Sequence, residues 1–171
     1  MLFRSVAGLL GMRPDDERIP DSFEIARKMG LSYSFGIANL TSAHPNSVVL
    51  EVKGKSGRTL EVQACSLGGG RIMINRLDGL DVNCSCEIPT LIVHNLDQPG
   101  HVAEVTSMLA HKSVNIANMS LYRDKRGGSA VMVVEMDQPL PKESLEWLEH
   151  LEGIVKVTYI NVTEGEEDDV L

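Results

Sequence analysis

Apolar positions along the chain follow helical spacing first, then recur at every second residue, and finally switch between the two periods. The opening run "VAGLLGM" reads as the end of a short helix or a buried segment. In "PDSFEIARKMG", Phe23, Ala26 and Arg27 recur at helical spacing, Asp21 or Ser22 can cap the N-terminus, and Gly30 can end the helix. From Leu31 to Gly79 the period becomes two. Val48, Leu50 and Val52 share one face, "GKSG" is a turn, and Leu60, Val62 and Ala64 alternate again, which predicts an antiparallel hairpin. "LGGGRIMINRLDG" then gives a glycine triplet, a short strand and a second turn, so residues 31–87 are expected to be mostly sheet.

Beyond Glu87 strands alternate with helices. "PTLIVHN" is a short apolar strand, and "GHVAEVTSMLAHKS" places Val102, Val105 and Leu109 at helical spacing. "VNIANMSLYR" and "SAVMVVEMD" are strands joined by the turn "DKRGG". "PKESLEWLEHLEG" is an amphipathic helix with Leu145, Leu148 and Leu151 on one face and Gly153 as its C-cap, and "IVKVTYINV" is the last strand. The order β-α-β-β-α-β is that of a ferredoxin-like split βαβ unit. The expected fold class is α+β, with a mostly-β region over residues 1–87, a βαββαβ domain over 88–163 and an acidic disordered tail over 164–171.

Composition narrows the partners. A chain of 171 residues allows one domain or two small ones, and its 43% hydrophobic content suffices for a core. With aromatics at 4%, that core must be built from Val, Leu, Ile, Met and Ala. The net charge of −8 falls wholly on residues 88–171, which argues against nucleic acid and against an anionic membrane surface as partners. No apolar stretch approaches the ~18 residues of a membrane span. "MLFRSVAGLLGM" runs into "RPDDERIPD" with no small-residue cleavage site. With three cysteines, an odd number, these features point to a cytoplasmic protein with reduced thiols.

Candidate chemistry centres on "HNLDQPGH", His94 to His101, at a strand-to-helix junction. Amides at a helix start lack intrahelical partners and, with the helix dipole, attract an anion such as a carboxylate. Gly100 permits close approach to the backbone, and Pro99 fixes the loop. Asn95 and Asp97 are acceptors suited to an ammonium group, and His101 sits beside the helix start. The spacing equally allows Asp97 to make an Asx turn and Pro-Gly to be a plain tight turn. The remaining histidines, His94, His111 and His150, are expected to face solvent. "HPNS", His44 to Ser47, is a polar loop or a turn with a structural histidine. Gly68, Gly69 and Gly70 lack the G-x-G-x-x-G context of a dinucleotide site and suit a β-bulge or a small anion. Cys84-Ser85-Cys86 has one intervening residue, unlike common zinc or iron–sulfur spacings, so no metal site is expected here.

"LIVHNLDQPGHVAEVTSMLAHKSVNIANMSLYR" closely resembles the ACT domain, a small-molecule regulatory module that often senses amino acids. The D-x-P-G turn and "NIANM" carry the match. The resemblance implies a ligand held against the loop with Asn95, Asp97, Gly100 and His101, between two units of a homodimer. "HPNSVVLEV", then "SLGGGRIMINRLDG", then an ACT unit resembles the beta subunit of bacterial iron-sulfur L-serine dehydratase, whose first part is an allosteric substrate-binding type domain. The resemblance implies a regulatory or assembly subunit of an enzyme converting L-serine to pyruvate and ammonia. Its 4Fe-4S cluster is held by a cysteine-containing alpha subunit, with none bound by this chain and no catalytic residue in it. His44, Asn46 and Gly68–Gly70 would face the partner's active site. The serine-rich "SSSHT" and the "GHGTD" segments of family beta subunits are missing here, which implies a chain lacking the family's front portion. Two other readings remain open: a free-standing amino-acid-binding ACT sensor, and the C-terminal regulatory part of a phosphoglycerate dehydrogenase.

Overall fold

The computed structural model describes residues 2–40 and 43–161, so the expected acidic tail lies outside the described residues. The chain forms two compact units, Met1–Leu40 and Thr41–Leu171. In the first, helix α1 (Leu2–Leu9) is followed by a short 3-10 helix (Ile19–Asp21) and helix α2 (Ser22–Lys28). Ser22 lies inside the helix with its hydroxyl donating to the Phe3 carbonyl at 3.1 Å, and Asp21 at the N-cap makes no side-chain capping bond. Neither therefore caps α2 as expected. All three phenylalanines of the chain meet here. The Phe23 ring lies 4.2 Å from Phe3, 5.2 Å from Tyr33 and 5.9 Å from Phe35, centroid to centroid. This cluster explains why the alternation around Tyr33 and Phe35 produces no strand: both rings turn to an aromatic partner, and residues 31–40 remain irregular.

The second unit holds two four-stranded antiparallel sheets. The first is a meander of β1 (Ser47–Lys53), β2 (Thr59–Gly68), β3 (Arg71–Leu77) and β4 (Leu80–Cys84). The second is built from β5 (Thr90–Leu96), β6 (Ile116–Arg123), β7 (Ser129–Met136) and β8 (Ile154–Ile160), in the order β6-β7-β5-β8. Helices α3 (His101–His111) and α4 (Lys142–Glu149) complete the βαββαβ unit. The fold is α+β. Helix α4 stops at Glu149 with His150 as C-cap, so Gly153 does not cap it; Gly153 turns the chain into β8 instead.

The second sheet is covered on both faces. Toward the helices, Leu91, Val93, Met132 and Val134 pack with Val105, Leu109 and Leu148. Toward the first sheet, Ile92, Val131 and Val133 pack with Ile74, Leu77 and Val82. The unit is thus three layers, helices on sheet on sheet. Double burial explains why β5 and β7 read as continuous apolar runs rather than as alternating strands. On α3, Val102 points to solvent, and the buried stripe is His101, Val105, Met108 and Leu109.

Candidate functional site

The loop from Leu96 to Gly100 leaves the centre of the second sheet and enters α3. Gly100 is the N-cap residue, with φ 109°, a left-handed conformation that glycine tolerates and side chains resist. Its carbonyl accepts the Glu104 amide at 2.9 Å, the first bond of the helix. No side chain caps α3, so its first-turn amides keep the anion-attracting character of a helix start. Asn95 is buried on β5. Its Nδ2 donates to the Leu96 carbonyl at 2.6 Å, while its Oδ1 has no partner. A buried acceptor without a donor is costly and marks a position that a ligand donor can satisfy.

Asp97 and His101 make contacts that the spacing alone does not reveal. Both Gly127 N–H, at 2.9 Å, and Arg123 Nη1, at 3.1 Å, donate to Asp97 Oδ2. The Gly127 amide, then Arg123, overcomes partial desolvation and holds the carboxyl below its usual range. Asp97 therefore ties the loop to the β6–β7 turn. Both donors reach Oδ2, and neither comes from the residues that follow Asp97 in the loop. His101 is turned inward. Its Nδ1 lies 3.3 Å from Glu104 Oε2, and its Nε2 is buried without a hydrogen-bond partner.

Gly153 locks this corner. Its carbonyl accepts the Leu96 amide at 2.9 Å. It has φ 80°, and a Cβ placed on it would lie 2.5 Å from His101 Nε2. The same glycine thus aligns the loop and admits the imidazole. In the sequence, only its place just before the last strand signals this role.

A second cluster, absent from the sequence reading, lies under the end of β5. Asp78 and Gly79 form the two-residue β3–β4 turn, with φ of 45° and 83°. His94 is buried, contrary to its expected exposure, whereas His111 and His150 are exposed. His94 Nε2 lies 3.6 Å from Asp78 Oδ2, and Lys156 Nζ donates to the same carboxylate and, at 2.9 Å, to the Thr59 carbonyl. Burial pushes the His94 pKa down, Asp78 pulls it up, and Lys156 adds to the depression. Burial also raises Asp78, but the Lys156 and Glu61 hydrogen bonds prevail and hold it low. A cavity of about 350 Å³ opens here, lined by Asp78, His94, Asn95, Asp124 and Ser129 among others.

The first-sheet candidates gather elsewhere. His44 Nδ1 accepts the Asn46 amide at 3.2 Å, and the Asn46 carbonyl accepts the Ser66 amide at 3.0 Å. Gly68, Gly69 and Gly70 all have positive φ, beside a register irregularity at Ser66/Gly68. The histidine loop and glycine turn therefore share one end of the first sheet. The Asp78 turn, beside β5, is at the opposite end of β3, a strand about 20 Å long. The two groups of candidates are not one site.

Cys65, Cys84 and Cys86 are buried and free, and no group of three or more His, Cys, Asp and Glu among the described residues is placed to hold a metal ion. These residues do not fit an iron–sulfur cluster. Among the described residues, no helix is long and apolar enough to cross a membrane.

Comparison with known proteins agrees with this architecture. The ACT domain family model matches residues 89–152. A probable L-serine dehydratase beta chain of Bacillus subtilis is 33% identical over 155 residues, covering 91% of this chain and 70% of the relative. The L-serine dehydratase beta chain of Peptoniphilus asaccharolyticus is 32% identical over 158 residues, covering 92% and 71%. A D-3-phosphoglycerate dehydrogenase of Methanocaldococcus jannaschii shares 31% identity over 90 residues, 53% of this chain and 17% of that enzyme. Three-layer packing, a glycine-opened loop at the start of α3 and beta-chain similarity along most of the sequence converge: the chain belongs to the L-serine dehydratase beta-chain family and carries an ACT domain.

Proposed function

We propose that this chain is the regulatory and assembly subunit of a cytoplasmic iron–sulfur L-serine dehydratase, which converts L-serine to pyruvate and ammonia. The observation that carries the reading is similarity to beta chains over 91% of the sequence. A cysteine-bearing alpha subunit holds the 4Fe-4S cluster. Residues 1–87 act as a partial allosteric substrate-binding type domain, and 88–163 as the ACT domain. His44, Asn46 and Gly68–Gly70, together at one end of the first sheet, face the alpha subunit.

The ACT loop binds an amino acid such as L-serine across a homodimer. The carboxylate sits over the uncapped start of α3, where Gly100 leaves the backbone open. The ammonium donates to Asn95 Oδ1, the buried acceptor without a partner. Asp97 and His101 set the loop's shape through Arg123, Gly127 and Gly153. Titration calorimetry with L-serine and other amino acids tests this. Binding is expected for the parent chain and should fall at least tenfold in Asn95→Ala and Gly100→Val. Undiminished binding in both variants removes the site. Separately, serine-dependent pyruvate should appear only when this chain and a cysteine-bearing partner are combined; turnover by this chain alone refutes the subunit reading.

A further inference from the structure

The segment joining the two sheets carries a pair of thiols that the proposed function does not use. Cys84 ends β4 and Cys86 follows two residues later; both are buried, 1% and 7% exposed. Their sulfurs are 3.1 Å apart, about 1 Å longer than a disulfide bond. In a regular strand, residues i and i+2 share a face but stand about 6.6 Å apart along the chain. Here the strand has ended, and Cys86 adopts φ 54°, a left-handed conformation disfavoured for a residue with a side chain. A strained backbone that brings two sulfurs into contact is an arrangement the surrounding structure must enforce. Ser85, between them, donates to Glu135 Oε1 at 3.3 Å, and Thr90 anchors the far end through the Ile88 carbonyl at 2.7 Å.

We propose that Cys84 and Cys86 are a peroxide-responsive dithiol that closes reversibly to an intrachain disulfide. The hydrogen bond with Cys86 draws the Cys84 thiol down, against burial and the Glu135 carboxylate. That same bond, with burial, pushes Cys86 up. The contact couples the two ionisations, so whichever sulfur carries the thiolate attacks and its neighbour resolves. The thiolate of the pair attacks one oxygen of hydrogen peroxide; the O–O bond breaks and hydroxide leaves, giving a sulfenic acid. The other sulfur of the pair loses its proton and attacks that sulfenic sulfur. The S–S bond forms, the S–O bond breaks, and the departing hydroxide takes up the proton as water. With hydrogen peroxide, two thiols are oxidised and the peroxide is reduced to two waters. The burial of the pair selects a small oxidant over a bulky disulfide. Strain in so short a ring keeps the product easily reduced.

The test uses the full chain at neutral pH with hydrogen peroxide in slight molar excess, followed by denaturation, alkylation and mass measurement. The expected product has lost two hydrogen masses, takes up one alkyl group, at Cys65, and returns to three alkylated thiols after dithiothreitol. A Cys65→Ser variant should form the same bridge. In Cys84→Ser and in Cys86→Ser the remaining thiol of the pair has no resolving partner, so no bridge should form and its sulfenic acid should be trapped by dimedone. Three freely alkylated cysteines after peroxide overturn the proposal, as does a bridge through Cys65 or between two chains.

Discussion

At the scale of single residues, Gly153 and Gly100 show two different uses of glycine. Gly100 has a left-handed φ but open space around it, so Gly100→Ala meets only backbone strain. Gly153 combines a left-handed φ with the His101 ring against its α-carbon. Gly153→Ala should therefore lower unfolding stability by roughly 2–4 kcal/mol, against about 1–2 kcal/mol for Gly100→Ala, as read from urea midpoints. Adding His101→Ala should recover the steric part of the Gly153→Ala loss. Equal losses for the two glycine variants would show that the imidazole does not press on Gly153. The motif around Gly100 was legible in the sequence because proline, glycine and asparagine each leave a local backbone signature. The fates of Asp97 and His101 were not, since Arg123, Gly127 and Gly153 lie 26, 30 and 52 positions away and reach the loop only through the fold.

At the scale of elements, the β3–β4 turn and strands β5 and β8 are joined by Asp78, His94 and Lys156. The pH dependence of this junction has a definite sign. His94 has a depressed pKa in the fold, so the unfolded chain binds more protons near the ordinary imidazole value of about 6.5. Stability from the neutral ring is thus complete above that pH and is lost as pH falls below it. Asp78, also held down, contributes stability that disappears only below about pH 4. The melting temperature should decline between about pH 7 and about pH 5.5, and more shallowly in His94→Gln. Parallel profiles for the two proteins would remove His94 as the cause. Sequence periodicity placed β1, β2 and β3, the four strands of the second sheet and both helices of the βαββαβ unit, because each carries its own apolar rhythm; β4 was covered only by the expectation that residues 31–87 are mostly sheet. It could not place His94, because burying that ring depends on a turn contributed by the other sheet.

At the scale of the whole molecule, both apolar clusters lie within the second compact unit, Thr41–Leu171, and the aromatic cluster lies within the first. A chain beginning at Ala43 should accordingly retain a cooperative melt and a β-rich circular dichroism spectrum. Loss of cooperativity would mean that the second unit is not self-sufficient. Inside that unit, Leu109 and Leu148 fill the layer between helices and sheet. Leu148→Ala should cost about 2–5 kcal/mol by urea denaturation, as expected for a fully buried leucine. The layered arrangement was only half legible. The helices announced the face they cover, but the opposite face of β5 and β7 was hinted at only by runs such as "LIV" and "VMVV", which leave no polar side for water.

Those runs constrain how a signal can leave the loop. A strand with hydrocarbon on each side cannot creep along its neighbours by a single position, because that step would swap Ile92 with Leu91 or Val93 and disrupt two packed interiors at once. Whatever occupies the Gly100 corner must therefore tilt or carry the three layers as one block, or act on a second copy of the chain across the corner. Gradual sliding of β5 is not available to it.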